Sequence, residues 1–101
     1  MNEVALEHLG EGRFALSGPL DYTSVVPALE LGKQVFQGHA RVELDLAGVT
    51  RANSAGLALL LEWVGDMQHR DAQFTLLHLP AALADIARIS NVSELLPLGQ
   101  P

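Results

Sequence analysis

Arg41-Val42-Glu43-Leu44-Asp45-Leu46 alternates charged and apolar residues without a break. A period of two is the signature of a β-strand, with Val42, Leu44 and Leu46 on one face and Arg41, Glu43 and Asp45 on the other. One face is therefore buried and the other wet. A sheet covered on both sides would carry strands that read as continuous apolar runs, so helices are expected mainly on one side. Ala47-Gly48-Val49-Thr50-Arg51-Ala52-Asn53 has no such period and reads as an irregular loop. A helix is expected from about Ala55 to about His69, because Leu57, Leu60, Leu61, Val64 and Met67 recur at the spacing of one helical face.

Toward the N-terminus, Val4-Ala5-Leu6-Glu7 and Arg13-Phe14-Ala15-Leu16-Ser17 read as short strands joined by a hairpin at Leu9-Gly10-Glu11-Gly12. Gly18-Pro19 is expected to break the second strand. A helix follows from near Asp21 or Thr23, either of which can cap it. Val25, Leu29, Gly32 and Phe36 lie at helical spacing, Gly38 supplies a stop, and Pro27 falls within the first turn, where its missing N–H costs least. Toward the C-terminus, Asp71-Ala72 is a turn and Gln73 to Leu79 a strand. Pro80 opens a helix with Leu83, Ile86 and Ile89 on one face, and Val92 to Leu96 forms a closing turn before the Pro97 tail. The order is β-β-α-β-α-β-α. A strand–helix–strand unit implies a parallel crossover, and the hairpin an antiparallel pair. The expected fold is α/β: one domain over residues 1–101, with a mixed sheet of about four strands and helices mainly on one side.

The composition removes several function classes. With 101 residues, 49% of them apolar, the chain can bury a core without staples, and it has no cysteine for disulfides, thiolate metal sites or nucleophiles. Met1-Asn2-Glu3-Val4 lacks the basic start and apolar stretch of a secretory signal. The longest apolar run, Ala55 to Leu61, falls well short of the about 20 residues of a bilayer span. Neither export by that route nor direct membrane insertion is expected. Twelve acidic residues against six basic ones give a charge of −6. This disfavours binding to nucleic acid or anionic lipid, which needs a basic face.

The chemistry-bearing patterns are few. His8, His39, His69 and His78 show no metal-ligand spacing and read as structural or surface residues, so no metal and no cofactor is expected. Gly10-Glu11-Gly12-Arg13-Phe14-Ala15 matches G-x-G-x-x-A on paper. It is followed by a strand rather than a helix, however, and so reads as a hairpin turn. There is no G-x-S-x-G and no P-loop. Glu43 and Asp45 sit on a solvated strand face. No catalytic residue emerges, and the chain is not expected to be an enzyme. A small-ligand sensor has no polar pocket signature in this sequence.

Asn53-Ser54-Ala55-Gly56 is the exception. Ser54 reads either as the cap of the helix, worth about 1 kcal/mol, or as the centre of a contact surface. Ala55 and Gly56 would leave a low platform at the positive end of that helix, open to close approach and able to accept a phosphate. Leu59 and Trp63 lie off the Leu57/Leu60/Leu61/Val64 stripe. They read either as packed beneath a neighbouring element or as an apolar patch for a partner. The candidate partner-binding residues are thus Asn53, Ser54, Ala55, Gly56, Leu59 and Trp63.

Taken together, the order of elements, Leu16-Ser17-Gly18-Pro19-Leu20-Asp21, and Val42-Glu43-Leu44-Asp45-Leu46 before Asn53-Ser54-Ala55-Gly56-Leu57 resemble STAS domains, the fold of bacterial anti-sigma-factor antagonists and of sulfate-transporter tails. Gly56-Leu57-Ala58-Leu59-Leu60-Leu61, Leu79-Pro80, Ile86-Ala87 and Leu95-Leu96-Pro97 resemble the MlaB-type STAS subunits of phospholipid ABC transporters, which maintain outer-membrane lipid asymmetry. The resemblance implies a cytoplasmic chain, peripheral to the inner membrane, that binds an ATPase subunit (MlaF-like) within a complex that also holds a permease and MCE-type subunits. It implies that Ser54 corresponds to the hydroxyl residue phosphorylated in antagonist relatives. The family usually carries Asp immediately before that residue, where this chain has Asn53. The missing charge shifts the expectation from a phospho-switch toward a standing contact.

Overall fold

The computed structural model describes residues 3–99; Met1, Asn2, Gln100 and Pro101, and the expectations that touch them, lie outside the described residues. Strand β1 (Ala5–Gly10) turns into β2 (Arg13–Leu20) through Glu11, which takes the left-handed conformation at φ 50°. Helix α1 (Val25–Val35) leads to β3 (Arg41–Ala52), α2 (Ser54–His69) to β4 (Gln73–Leu77), and α3 (Ala81–Ile89) to a 3-10 turn at Ser93–Leu95. The sheet order is β1-β2-β3-β4. The β1–β2 pair is antiparallel, and β2–β3 and β3–β4 are parallel, as the element order requires.

The period of two in β3 works as read. Val42, Leu44 and Leu46 are fully buried, together with Phe14 and Leu16 of β2 and Leu76 of β4. Arg41, Glu43 and Asp45 stay at least partly in water on the opposite face. Helix α2 packs between α1 and α3, so it buries more than one stripe. Leu57, Leu60, Val64 and Met67 are in the core, and so are Leu59 and Trp63.

Three expectations about the elements are corrected. Gly18-Pro19 does not end β2. The strand runs on to Leu20 because Gly18 takes φ 91° and the register shifts by a bulge between Gly18 and Pro19. A Cβ at Gly18 would lie 2.4 Å from the Glu3 carbonyl oxygen, so only glycine lets the two backbones pass. Residues 47–52 are not a loop either. They extend β3, because Ser17–Leu20 offers them a parallel partner: Gly48 pairs with Ser17, Val49 with Gly18, and Ala52 with Leu20. Finally, Ile89 is 78% exposed. At about 100° per residue it lies well off the face that buries Leu83 and Ala87.

The C-terminal tail lies along β4. The Leu76 N–H donates to the Pro97 carbonyl, and the Gly99 N–H donates to the Leu76 carbonyl, both at 2.9 Å. Leu98 is bridged in parallel to Leu76.

Candidate functional site

The extension of β2 and β3 beyond their expected ends brings the starts of α1 and α2 side by side. The Asn53 N–H donates to the Leu20 carbonyl at 3.2 Å, tying the two strand ends together. Asn53, not Ser54, caps α2. Its backbone is extended and its Oδ1 accepts the Ala55 N–H at 2.9 Å, while its carbonyl accepts the Gly56 N–H at 2.9 Å. This corrects the expected capping role of Ser54, which is the first helical residue. An N-cap side chain reaches the N–H groups ahead of it only from the extended backbone that Asn53 adopts. The Ser54 hydroxyl is thereby released. Ser54 is exposed, and its Oγ faces the Tyr22 hydroxyl at 3.4 Å.

The Tyr22 side is held by an acidic turn. Asp21 Oδ1 accepts from the Thr23 N–H at 2.9 Å, the Thr23 hydroxyl at 2.7 Å and the Ser24 N–H at 3.2 Å. The Thr23 hydroxyl, then the backbone N–H groups of Thr23 and Ser24 and the Arg51 guanidinium, hold the Asp21 carboxyl below its ordinary range. Asp21 therefore does the work expected of an α1 cap from three residues before the capping position, while Ser24, at that position, makes no side-chain cap bond. Arg51, on β3, reaches Asp21 at 3.6 Å across the strand ends.

Between α1 and α2 runs a groove of about 360 Å³, lined by Tyr22, Val25, Val26, Leu29, Ala55, Ala58, Leu59 and Glu62. Its walls are almost wholly apolar, and two of them stand in water: Tyr22 is 73% exposed and Val26 65%. Ala55 and Ala58 keep the α2 wall low. Residue reasoning missed Tyr22 and Val26. The available signal was an aromatic in a polar turn, and a valine off the Val25/Leu29/Gly32 stripe.

The candidate residues divide. Asn53, Ser54 and Ala55 are brought together at the head of the groove, and Leu59, although buried, forms part of its floor. Trp63 is corrected: it is 1% exposed, with its indole against Gly32 of α1 and the Phe36 ring, and offers nothing to a partner. Gly56 is also corrected. It does not serve as a platform, because it faces inward and a Cβ there would meet the Leu20 Cβ at 2.9 Å. Glycine is demanded by the packing of α2 on β2.

Elsewhere, His78 follows β4 in the left-handed conformation at φ 58° and its Nδ1 meets Asp45 Oδ1 at 2.8 Å. The Ala47 N–H, and after it His78, hold the Asp45 carboxyl below its ordinary range. Among the described residues no group of three or more His, Cys, Asp or Glu is placed to hold a metal. Nor is any helix long and apolar enough to cross a membrane.

A sheet with one antiparallel edge pair and two parallel crossovers, and an exposed hydroxyl opening the central helix, agree with the STAS arrangement expected from the sequence. The family model described as "Mlab, STAS domain" matches residues 5–97, and the chain belongs to this family. Solved structures share the fold. The anti-sigma factor antagonist SpoIIAA in its unphosphorylated form is 15% identical with a TM-score of 0.70, over 96% of this chain and 88% of that one. The phosphorylated form of the Bacillus cell fate determinant SpoIIAA is 16% identical with a TM-score of 0.68, over 96% and 91%. An anti-sigma factor antagonist from Mycobacterium paratuberculosis is 21% identical with a TM-score of 0.68, over 97% and 85%. No curated protein sequence matches significantly.

Proposed function

We propose that this chain is a non-enzymatic accessory subunit of an inner-membrane phospholipid-transport ABC complex, working from the cytoplasmic side by docking on the ATPase subunit and favouring its active arrangement. The family match supports this reading. The observation that carries it is the head of the α1–α2 groove. There a freed Ser54 hydroxyl beside Tyr22 adjoins exposed Val26 and low Ala58, giving an apolar floor with a polar anchor. Asn53 caps α2 without charge, which suits a standing contact. The test is co-expression with the ATPase and permease of a phospholipid-transport ABC complex from the same genome. The wild type co-purifies and raises ATPase turnover, whereas Ser54→Arg folds normally and releases the ATPase. An ATPase that assembles and turns over equally well without this chain overturns the proposal.

A second reading is an anti-sigma-factor antagonist. The exposed Ser54 hydroxyl, spent on no cap, favours it. Phosphorylation there would place about −1.5 to −2 charges at the groove and expel a partner. Intact-mass measurement with a kinase encoded nearby decides the matter: an unmodified Ser54 in the presence of that active kinase rules this reading out.

A further inference from the structure

Beyond its Ser54 head, the body of the α1–α2 groove has a chemistry of its own. Its walls are side chains of two helices, Val25, Val26 and Leu29 from α1 and Ala55, Ala58 and Leu59 from α2. They offer no row of open backbone groups such as a sheet edge would present. A guest lying there in extended form would bury N–H and C=O groups with nothing opposite them, whereas a helix satisfies its own. Val26, 65% exposed, and Ala58, also exposed, are the apolar groups such a helix would cover.

The charge along the groove is uneven. Its head is balanced, because Arg51 faces Asp21 there at 3.6 Å. The other end is acidic. Glu62 closes the α2 wall one turn beyond Ala58, and Asp66 follows one turn further. Both are exposed, and neither enters an ion pair among the described residues. The two cations beside Asp66 are committed elsewhere. Lys33 faces Glu30 at 3.7 Å, and Arg70 donates to the Phe36 carbonyl at 2.8 Å and the His39 carbonyl at 2.9 Å. An anionic guest, such as a lipid headgroup or a nucleic acid, is disfavoured at that end. A lysine or arginine is favoured, and a charge pair at the rim of an apolar contact fixes its register.

We propose that the groove seats an amphipathic helix of the ATPase subunit, its apolar face on Val26, Leu29 and Ala58 and a basic residue, one to two turns along, paired with Glu62. This rests on the accessory-subunit reading, which supplies the partner. It adds the form of the docking element and its charge.

The test titrates the chain onto the ATPase–permease complex of the same genome. Glu62→Lys and Val26→Asp alter exposed side chains and should keep the wild-type melt. Each should weaken binding at least about tenfold at low salt, and for Glu62→Lys the loss should shrink as salt is raised. Glu7→Lys makes the same charge change on the opposite face of the sheet and should bind as the wild type does. Hydrogen exchange of the complex should place the ATPase segment protected by this chain in a helix of net positive charge. A complex that binds the wild type and Glu62→Lys equally, an equal loss with Glu7→Lys, or protection confined to an extended or acidic segment overturns the groove assignment and leaves the accessory reading standing. A complex that does not bind the wild type at all overturns both.

Discussion

Asn53→Ala and Ser54→Ala should part company, and the difference measures which residue caps α2. Asn53 Oδ1 accepts the Ala55 N–H at 2.9 Å from the extended backbone that a cap requires. Removing it orphans that donor at the head of the longest helix and should cost about 1 kcal/mol, within a range of about 0.5–2. For a domain of this size, about 1 kcal/mol lowers the melting temperature by roughly 4–8 °C. Ser54 makes no cap bond. Its hydroxyl has only the Tyr22 contact at 3.4 Å, long for two hydroxyls and open to water. Ser54→Ala should therefore stay within about 0.5 kcal/mol of wild type. Asn53→Asp supplies a sharper control: it keeps the acceptor and adds a negative charge at a helix N-terminus, a gain of about 0.3–1 kcal/mol at low salt that fades as salt is raised. Thermal melts and urea titrations on the three variants read these numbers directly. If Ser54→Ala proves as destabilising as Asn53→Ala, the cap is misassigned, and the argument that Ser54 is free for a partner or a kinase goes with it.

Gly56→Ala improves helix propensity by about 1 kcal/mol but drives a methyl to within 2.9 Å of the Leu20 Cβ, which cannot rotate away, at a cost of about 1–3 kcal/mol. A net loss in urea stability is expected, and a gain would show that α2 can lift from β2. Trp63→Ala should cost about 3–5 kcal/mol, read as a lowered urea midpoint and melting temperature; a loss within about 0.5 kcal/mol, as for a surface substitution, would return Trp63 to the surface. Asp45 has a carboxyl held below its ordinary range, so its contribution is present at neutral pH and is lost as pH falls through the folded-state value. The stability gap between wild type and Asp45→Asn should hold at neutral pH and close below about pH 4; a gap that persists in acid refutes the role given to that carboxylate.

The element order, the sheet arrangement and the neighbourhood of Ser54 were legible because each rests on local pattern: alternation in Arg41–Leu46, helical spacing in Leu57–Met67, and a short polar run ahead of an apolar helix. Ile89 and the cap were lost to local geometry, but the other misreadings share a cause, a partner far away in sequence. Residues 47–52 have no period of their own and become strand only because Ser17–Leu20 lies beside them. Gly18-Pro19 looks like a break until the bulge that absorbs it is known. Gly56 reads as an open platform when Leu20 is out of view, and Trp63 stays open to both a packed and a surface reading when Gly32 is. Ser54 and Asn53 are both good caps by type, and only backbone geometry separates them. Tyr22 carried only the weak signal of an aromatic in a polar turn, because its importance comes from the strand ends that place it beside Ser54.

The tail along β4 also bears on how the protein behaves in concentrated solution. A β-strand at the margin of a sheet exposes a row of unused N–H and C=O groups that a second molecule can adopt. Here the Pro97 carbonyl and the Gly99 N–H occupy those of Leu76, so the chain itself covers that margin at Leu76. A chain cut after Leu96 would keep its core and its groove yet bare that margin, and should adhere more readily to its own copies than the intact chain. Purification handles are therefore better carried at the other terminus.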